Sequence, residues 1–336
     1  MTQRMILLVP FLLLAVPAGA QQPAATLDTA YTPGAYRVFT GAGAPATLED
    51  VVRAMGRQQV VFIGETHDDP TAHMLELELL ERAVEHYGGS STGAEGQREV
   101  ALSLEFFERD VQLPLDEYLA GAITETSFLA DTRPWPRYRS DYRPLVEYAK
   151  ERRLPVIAAN APRRYVGMVS RQGRASLDAL SAEARALLAP LPYGQASPVY
   201  RNQWIATISA VMEQEGMKCG VPVERADAPP GSHGNMGNQL NSQVLWDATM
   251  AHSIVRHLAA RPNALVLHMV GGFHVERGTG IPEQLQAYLP GVRAMIVAVR
   301  PVADVAAFEP APDGAWGDFV IQTDETRTLE AIECRP

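Results

Sequence analysis

Short apolar runs, each halted by a polar or glycine-bearing turn, recur along this chain with helical patterns between them. No other feature constrains its fold as tightly. Val60-Val61-Phe62-Ile63 stops at Gly64, and Glu65-Thr66-His67 follows at once. Val100 to Phe107, Leu154 to Ala159, Ala264 to Gly271 and Arg293 to Val299 repeat the arrangement. Runs of roughly four to eight β-branched and aromatic residues read as buried strands. Asp68, Asp69 and Pro70 supply the cap and first turn of an amphipathic helix over about 71–87, and a second helix is expected at about 143–152. Strands alternating with helices imply an α/β fold, a mainly parallel sheet flanked by helices with right-handed crossovers. Phe319-Val320-Ile321-Gln322 is read as one more strand, on the sheet edge.

From about 163 to 259 the strand pattern ceases. Helical patterns run over 179–188, 197–215 and 239–259, interrupted by the Gly/Pro/Asn-rich stretch 220–238 with His233. The expectation is a helical insertion over the carboxyl edge of the strands, inside one α/β domain spanning 47–300. Residues 21–46 form an extended lead-in, and 301–336 a C-terminal segment with the edge strand. In the last long helix Trp246, Met250 and Ile254 share a core stripe, and Asp247 beside them needs a partner if it turns inward.

The N-terminus has the form of a secretory signal: Arg4, an apolar run from Met5 to Val16, and Ala18-Gly19-Ala20 as a small-residue cleavage site. That run is too short to span a bilayer. Cleavage after Ala20 is expected to release a periplasmic or secreted protein. Loss of Arg4 leaves 28 basic residues against 39 acidic, a net charge of −11. So acidic a chain is not expected to bind nucleic acid or an anionic membrane. Cys219 and Cys334 are the only cysteines; an oxidising compartment permits a disulfide, but spacing does not show that they meet. No CxxCH is present, which excludes covalent c-type haem.

In a parallel sheet every strand carboxyl end lies on one edge, where ligands bind. Glu65, His67, Glu105, Asn160 and His274 all fall at such ends. Each has a bland reading: Glu65 caps the helix, His67 is solvated, Glu105 pairs with Arg109. Their shared placement favours a functional cleft. Two carboxylates and two imidazoles suit a divalent metal such as zinc or manganese, with Glu65, His67, Glu105 and His274 as ligands. They suit acid–base chemistry by Glu65 or Glu105 equally well. His268, inside its strand, reads as core. HExxH, GxSxG, P-loop and dinucleotide motifs are lacking. Residues 131–143 carry Arg133, Arg137, Arg139 and Arg143 among aromatics. Such a patch suits carboxylates or phosphates, unless its arginines pair with nearby acids.

Several separate motifs carry a family likeness. Gly64-Glu65-Thr66-His67, Leu102-Ser103-Leu104-Glu105-Phe106-Phe107, Ala158-Ala159-Asn160, Gln243 to Ala251 and Gly271-Gly272-Phe273-His274 occur in that order. Together they resemble the ChaN-type haem-binding proteins, within a wider group that includes the Tiki-type metalloproteases. The resemblance implies haem binding linked to iron uptake, with a metal-dependent hydrolase using the Glu/His site as the alternative. It also implies a tyrosine as axial haem ligand, for which Tyr138, Tyr142, Tyr193 and Tyr200 are the candidates. Arg133 and Arg137 would meet the propionates. Haem is the expected partner and a homodimer is allowed. Family members are often lipoproteins, whereas this chain has Gln21, not a cysteine, directly after the expected cleavage site.

Overall fold

The computed structural model describes residues 35–89, 97–219 and 236–328, the side chains of 210–219 excepted. The signal, most of the lead-in, His233 and Cys334 lie outside the described residues, as does the side chain of Cys219.

The apolar runs form the strands they predict: β3 (Val60–Glu65), β4 (Val100–Glu108), β5 (Val156–Asn160), β6 (Leu265–Gly271) and β7 (Ala294–Val302). Together with β8 (Phe319–Asp324), β1 (Tyr36–Thr40) and β2 (Pro45–Ala46) they build one sheet in the order β2-β1-β8-β7-β3-β6-β4-β5. All pairings from β8 to β5 are parallel. β1 pairs antiparallel with β8, and β2 with β1. Two expectations are thereby corrected. β8 is not an edge strand, because β1 covers its outer side. The lead-in ends at a strand of the sheet, whose partner lies some 280 residues away, Tyr36 opposite Thr323.

Strand alternation sorts side chains onto two faces. Val61, Ile63, Leu102, Leu104, Leu267, Met269, Met295 and Val297 share a core with Val51 and Met55 of α1 (Leu48–Met55), with Leu75, Leu79 and Leu80 of α2 (Pro70–Tyr87) and with Leu145 and Val146 of α5 (Arg143–Arg152). Phe128 of α4 (Glu125–Thr132) and Leu115 of α3 (Gln112–Leu119) extend it. The intervening residues Val60, Phe62, Ala101, Val266 and Val270 pack on the opposite face against Met250, Ala251 and Ile254 of α9 (Met236–Ala260), and Ile281 and Leu285 of α10 (Ile281–Tyr288). The core stripe read on the last long helix is this contact.

No strand forms among the described residues between 163 and 259. α6 (Arg163–Gln172), the short α7 (Ala182–Ala186), α8 (Pro198–Cys219) and the first half of α9 fill that span. They have a core of their own, in which Val166, Val169, Leu188, Tyr193, Tyr200 and Trp204 meet Leu240, Val244 and Leu245. α9 is the hinge between cores: its first turns serve the insertion and its later turns the sheet.

Candidate functional site at the carboxyl rim

β3 and β6 end level, Glu65 opposite Gly271, while β4 aligns Leu104 with Met269. Glu65 has the parity of Val61 and Ile63, so it points to the α2 face. Glu105 has the parity of Ala101 and Ser103, so it points to the α9 face. The two carboxylates predicted to share one cleft thus lie on opposite sides of the sheet.

On the α2 face, Asp69 caps the helix by accepting from the Thr71 N–H at 2.8 Å, and Pro70 starts it. That docking turns His73 and Glu76 inward. His73 Nδ1 lies 2.9 Å from Glu65 Oε2 and 3.4 Å from Glu76 Oε2. Its Nε2 donates to the His67 carbonyl at 3.1 Å and lies 3.7 Å from Asp141. The other Glu65 oxygen accepts from the Tyr142 hydroxyl at 2.9 Å and from His67 Nδ1 at 2.7 Å. Burial favours a neutral Glu65, but the His67 and His73 rings overcome it and hold the carboxyl below its ordinary range. Glu76 moves the other way, raised by burial and by the Glu65 charge. Burial opposes a charged His73, yet the two carboxylates raise its pKa strongly.

On the α9 face, Glu105 Oε2 accepts from the Gly271 N–H at 2.7 Å, and Oε1 lies 3.5 Å from His274 Nε2. The opposite nitrogen of His274, Nδ1, is hydrogen-bonded to Asp247, whose second oxygen accepts from the Tyr200 hydroxyl. Burial raises the Asp247 carboxyl despite these partners. His274 is raised as well: burial opposes its charge, but the Asp247 and Glu105 carboxylates outweigh burial. The inward acid expected at Asp247 has the partners it requires. Arg109 is not the counter-ion of Glu105; it is buried and donates to Ser253 and to the Leu188 and Thr249 carbonyls. Asn160 stays outside both groups and caps its own turn through the Ala161 N–H. His268 is core, bonded to Ser103 at 2.8 Å and lowered to about 3 by burial.

His67 crosses between the faces. Its ring stands edge-on to Trp135 at 4.8 Å and passes so close to Gly271 that a Cβ there would lie 3.0 Å from Nε2. Glycine at 271 is what lets the imidazole lie across the strand end. His67 remains 47% exposed. Burial lowers its pKa, but the Glu65 hydrogen bond and the Glu105 and Glu76 charges bring it up to about 9.

Several site expectations change. Glu65, His67, Glu105 and His274 line one rim, but they do not converge on one ion. Among the described residues, the set whose donor atoms all lie within 4.8 Å is Glu65, His73 and Glu76. The four tyrosines are 4% exposed or less and present no open oxygen. Tyr138 is packed among Phe106, Phe107 and Phe128, and Tyr193 donates to the Asn241 carbonyl. Tyr142 and Tyr200 are committed to Glu65 and Asp247. Burial raises the pKa of each, which disfavours a tyrosinate ligand. Arg133 pairs with Glu108 and Asp110, and Arg137 with Asp141 at 2.6 Å, so both cations are answered internally. His73 and Glu76 escaped the sequence reading. Their signal was present: a His and a Glu at i, i+3 on the same inward stripe as Ala72, Leu79 and Leu80.

A model of the family described as "Haem-binding uptake, Tiki superfamily, ChaN" matches residues 51–285, from α1 to α10 and through both faces of the rim. The protein named RETICULATA-RELATED 5, chloroplastic, of Arabidopsis thaliana is 24% identical over 268 residues, which cover 77% of this chain and 34% of that protein. The chain thus spans about a third of the length of this curated relative. The solved structure titled "Cofacial heme binding to ChaN of Campylobacter jejuni" superposes with a TM-score of 0.60 at 15% identity, covering 85% of this chain and 96% of that one. At that identity the likeness bears on the fold.

Proposed function

The chain belongs to the ChaN family of haem-binding uptake proteins in the Tiki superfamily, and from that premise we propose that it is an exported haem-binding protein serving iron uptake. The tyrosines do not fit an axial ligand in the arrangement described. His67 does. It is the exposed imidazole of the rim, its Nδ1 is held by Glu65 at 2.7 Å, and Nε2 would take the iron on release of its proton to solvent. A carboxylate on the far nitrogen fixes the tautomer and strengthens the ring as a ligand. That geometry is the observation on which the assignment rests. Trp135 beside it offers an apolar ring to a porphyrin edge. Haem would supply the redox and ligand chemistry; the protein orients the imidazole through Glu65.

Titration of the purified protein with haemin is the test. A Soret band with a histidine-ligated spectrum is expected, lost in His67→Ala and retained in Tyr142→Phe. A response no different from that of an unrelated acidic protein would overturn the reading. Export by removal of residues 1–20 is part of it, and intact-mass measurement of the chain from the periplasmic fraction checks that part.

A second reading is favoured by one observation: the buried Tyr200–Asp247–His274–Glu105 string, which haem ligation by His67 does not use. In a metal-dependent hydrolase Glu105 would be the base, since Glu65 faces the other side. Hydrolysis of activated esters or peptides that is abolished by His274→Ala would support it.

A further inference from the structure

We infer that Glu65, His73 and Glu76 form a divalent-cation site behind the rim, distinct from the haem position and from the Glu105–His274 pair. The inference does not depend on the haem reading. Three observations carry it. First, the donors are buried and compact: His73 Nδ1 stands 2.9 Å from Glu65 Oε2 and 3.4 Å from Glu76 Oε2. Donors about 2.0–2.2 Å from a metal stand roughly 3.4 Å apart at tetrahedral angles and about 3 Å apart at octahedral ones. Second, Glu65 Oε2 and Glu76 Oε1 are buried oxygens without a hydrogen bond, on side chains 5% and 0% exposed. The short Glu65–His73 contact is an ion pair without hydrogen-bond alignment. Buried acceptors in native proteins are otherwise nearly always satisfied.

Third, the surroundings orient each ligand as metal sites do. The His67 carbonyl accepts from His73 Nε2 and leaves Nδ1 for the ion. Tyr142 and His67 occupy Glu65 Oε1 and leave Oε2. Charge permits this assignment. Two carboxylates and a neutral imidazole balance one divalent ion, which would take the place of the His73 proton. One nitrogen and two carboxylates, without thiolate, select zinc or manganese over calcium. On binding, the proton of His73 Nδ1 is released to solvent.

Chelator-treated full-length protein, titrated with Zn²⁺ and Mn²⁺ by calorimetry, is expected to take one ion per chain. Glu76→Gln should weaken binding by at least the roughly 10–100-fold that loss of even an outer partner costs. His274→Ala should leave it unchanged. Where variants do not fold, Cu²⁺ electron paramagnetic resonance of the unaltered chain decides. A single coordinated imidazole is expected here, against two for a site formed by His67 and His274. No uptake, two imidazoles, or affinity lost in His274→Ala but kept in Glu76→Gln would each overturn the assignment.

Discussion

Behind β3, Glu65 meets two imidazoles and a second carboxylate. Behind β4, Glu105 meets His274, which leans on an acid and a tyrosine. The materials are alike, yet the hydrogen-bond inventories differ. On the α9 face both Asp247 oxygens are engaged, one by His274 and one by Tyr200. On the α2 face one oxygen of Glu65 and one of Glu76 have none. The α9 cluster is therefore closed by the protein's own groups, whereas the α2 cluster keeps two oxygens for the cation proposed above. Burial next to like charge is stable only when something of opposite sign is supplied.

The largest effect that can test this contrast is expected at Asp247. Asp247→Leu strips the buried His274 of its partner and should cost about 3–5 kcal/mol, as breaking buried pairs does. Urea unfolding measures it. Glu76→Gln in metal-free protein should cost far less, because it removes a charge that Glu65 repels. Equal losses at the two positions would erase the distinction between the faces.

Acid separates the faces next. His268 lies on the α9 face, and burial lowers its pKa to about 3. The unfolded chain binds a proton there below about pH 6.5, and the folded chain does not. Its contribution is complete above pH 6.5 and is lost as pH falls toward 3, at up to about 1.4 kcal/mol per pH unit. Stability measured from pH 6 to 4 should therefore fall less steeply, by close to one proton, in His268→Leu.

The smallest effect belongs to the residue between the faces. His67 is nearly half exposed, so water screens its ion pair, and His67→Ala should cost no more than about 1 kcal/mol. A thermal melt checks that, and a larger loss would make His67 part of the core.

Much of this could be read from residues alone. The Val60 to Ile63 run, the Asp69 cap with Pro70, and the buried stripe of Met250 and Ile254 all follow from local periodicity and chemistry, which tertiary packing left intact. So did the gathering of Glu65, His67, Glu105 and His274 on one rim, a consequence of parallel strands. The tyrosines mislead because a loop or helix start in the sequence suggests an open surface, whereas packing on α2, α4 and β4 buries Tyr138 and Tyr142, and packing on α9 buries Tyr193 and Tyr200. The arginines of 131–143 were legible as a cluster, but not as one already paired with Glu108, Asp110, Asp141 and Glu125.

The sequence by itself determined the α/β class, the six strands from β3 to β8, the helical insertion and the residue types at the strand ends. Each is a property of neighbours in the chain, where a period of two or 3.6 reports which side is buried. Only the tertiary structure decided that β1 covers β8, that Glu65 and Glu105 part to opposite faces, and that His73 and Glu76 complete the first while His274 and Asp247 complete the second. Those outcomes depend on strand register and on helix docking between residues as far apart as Glu105 and Gly271, and a shift of one position would exchange the faces.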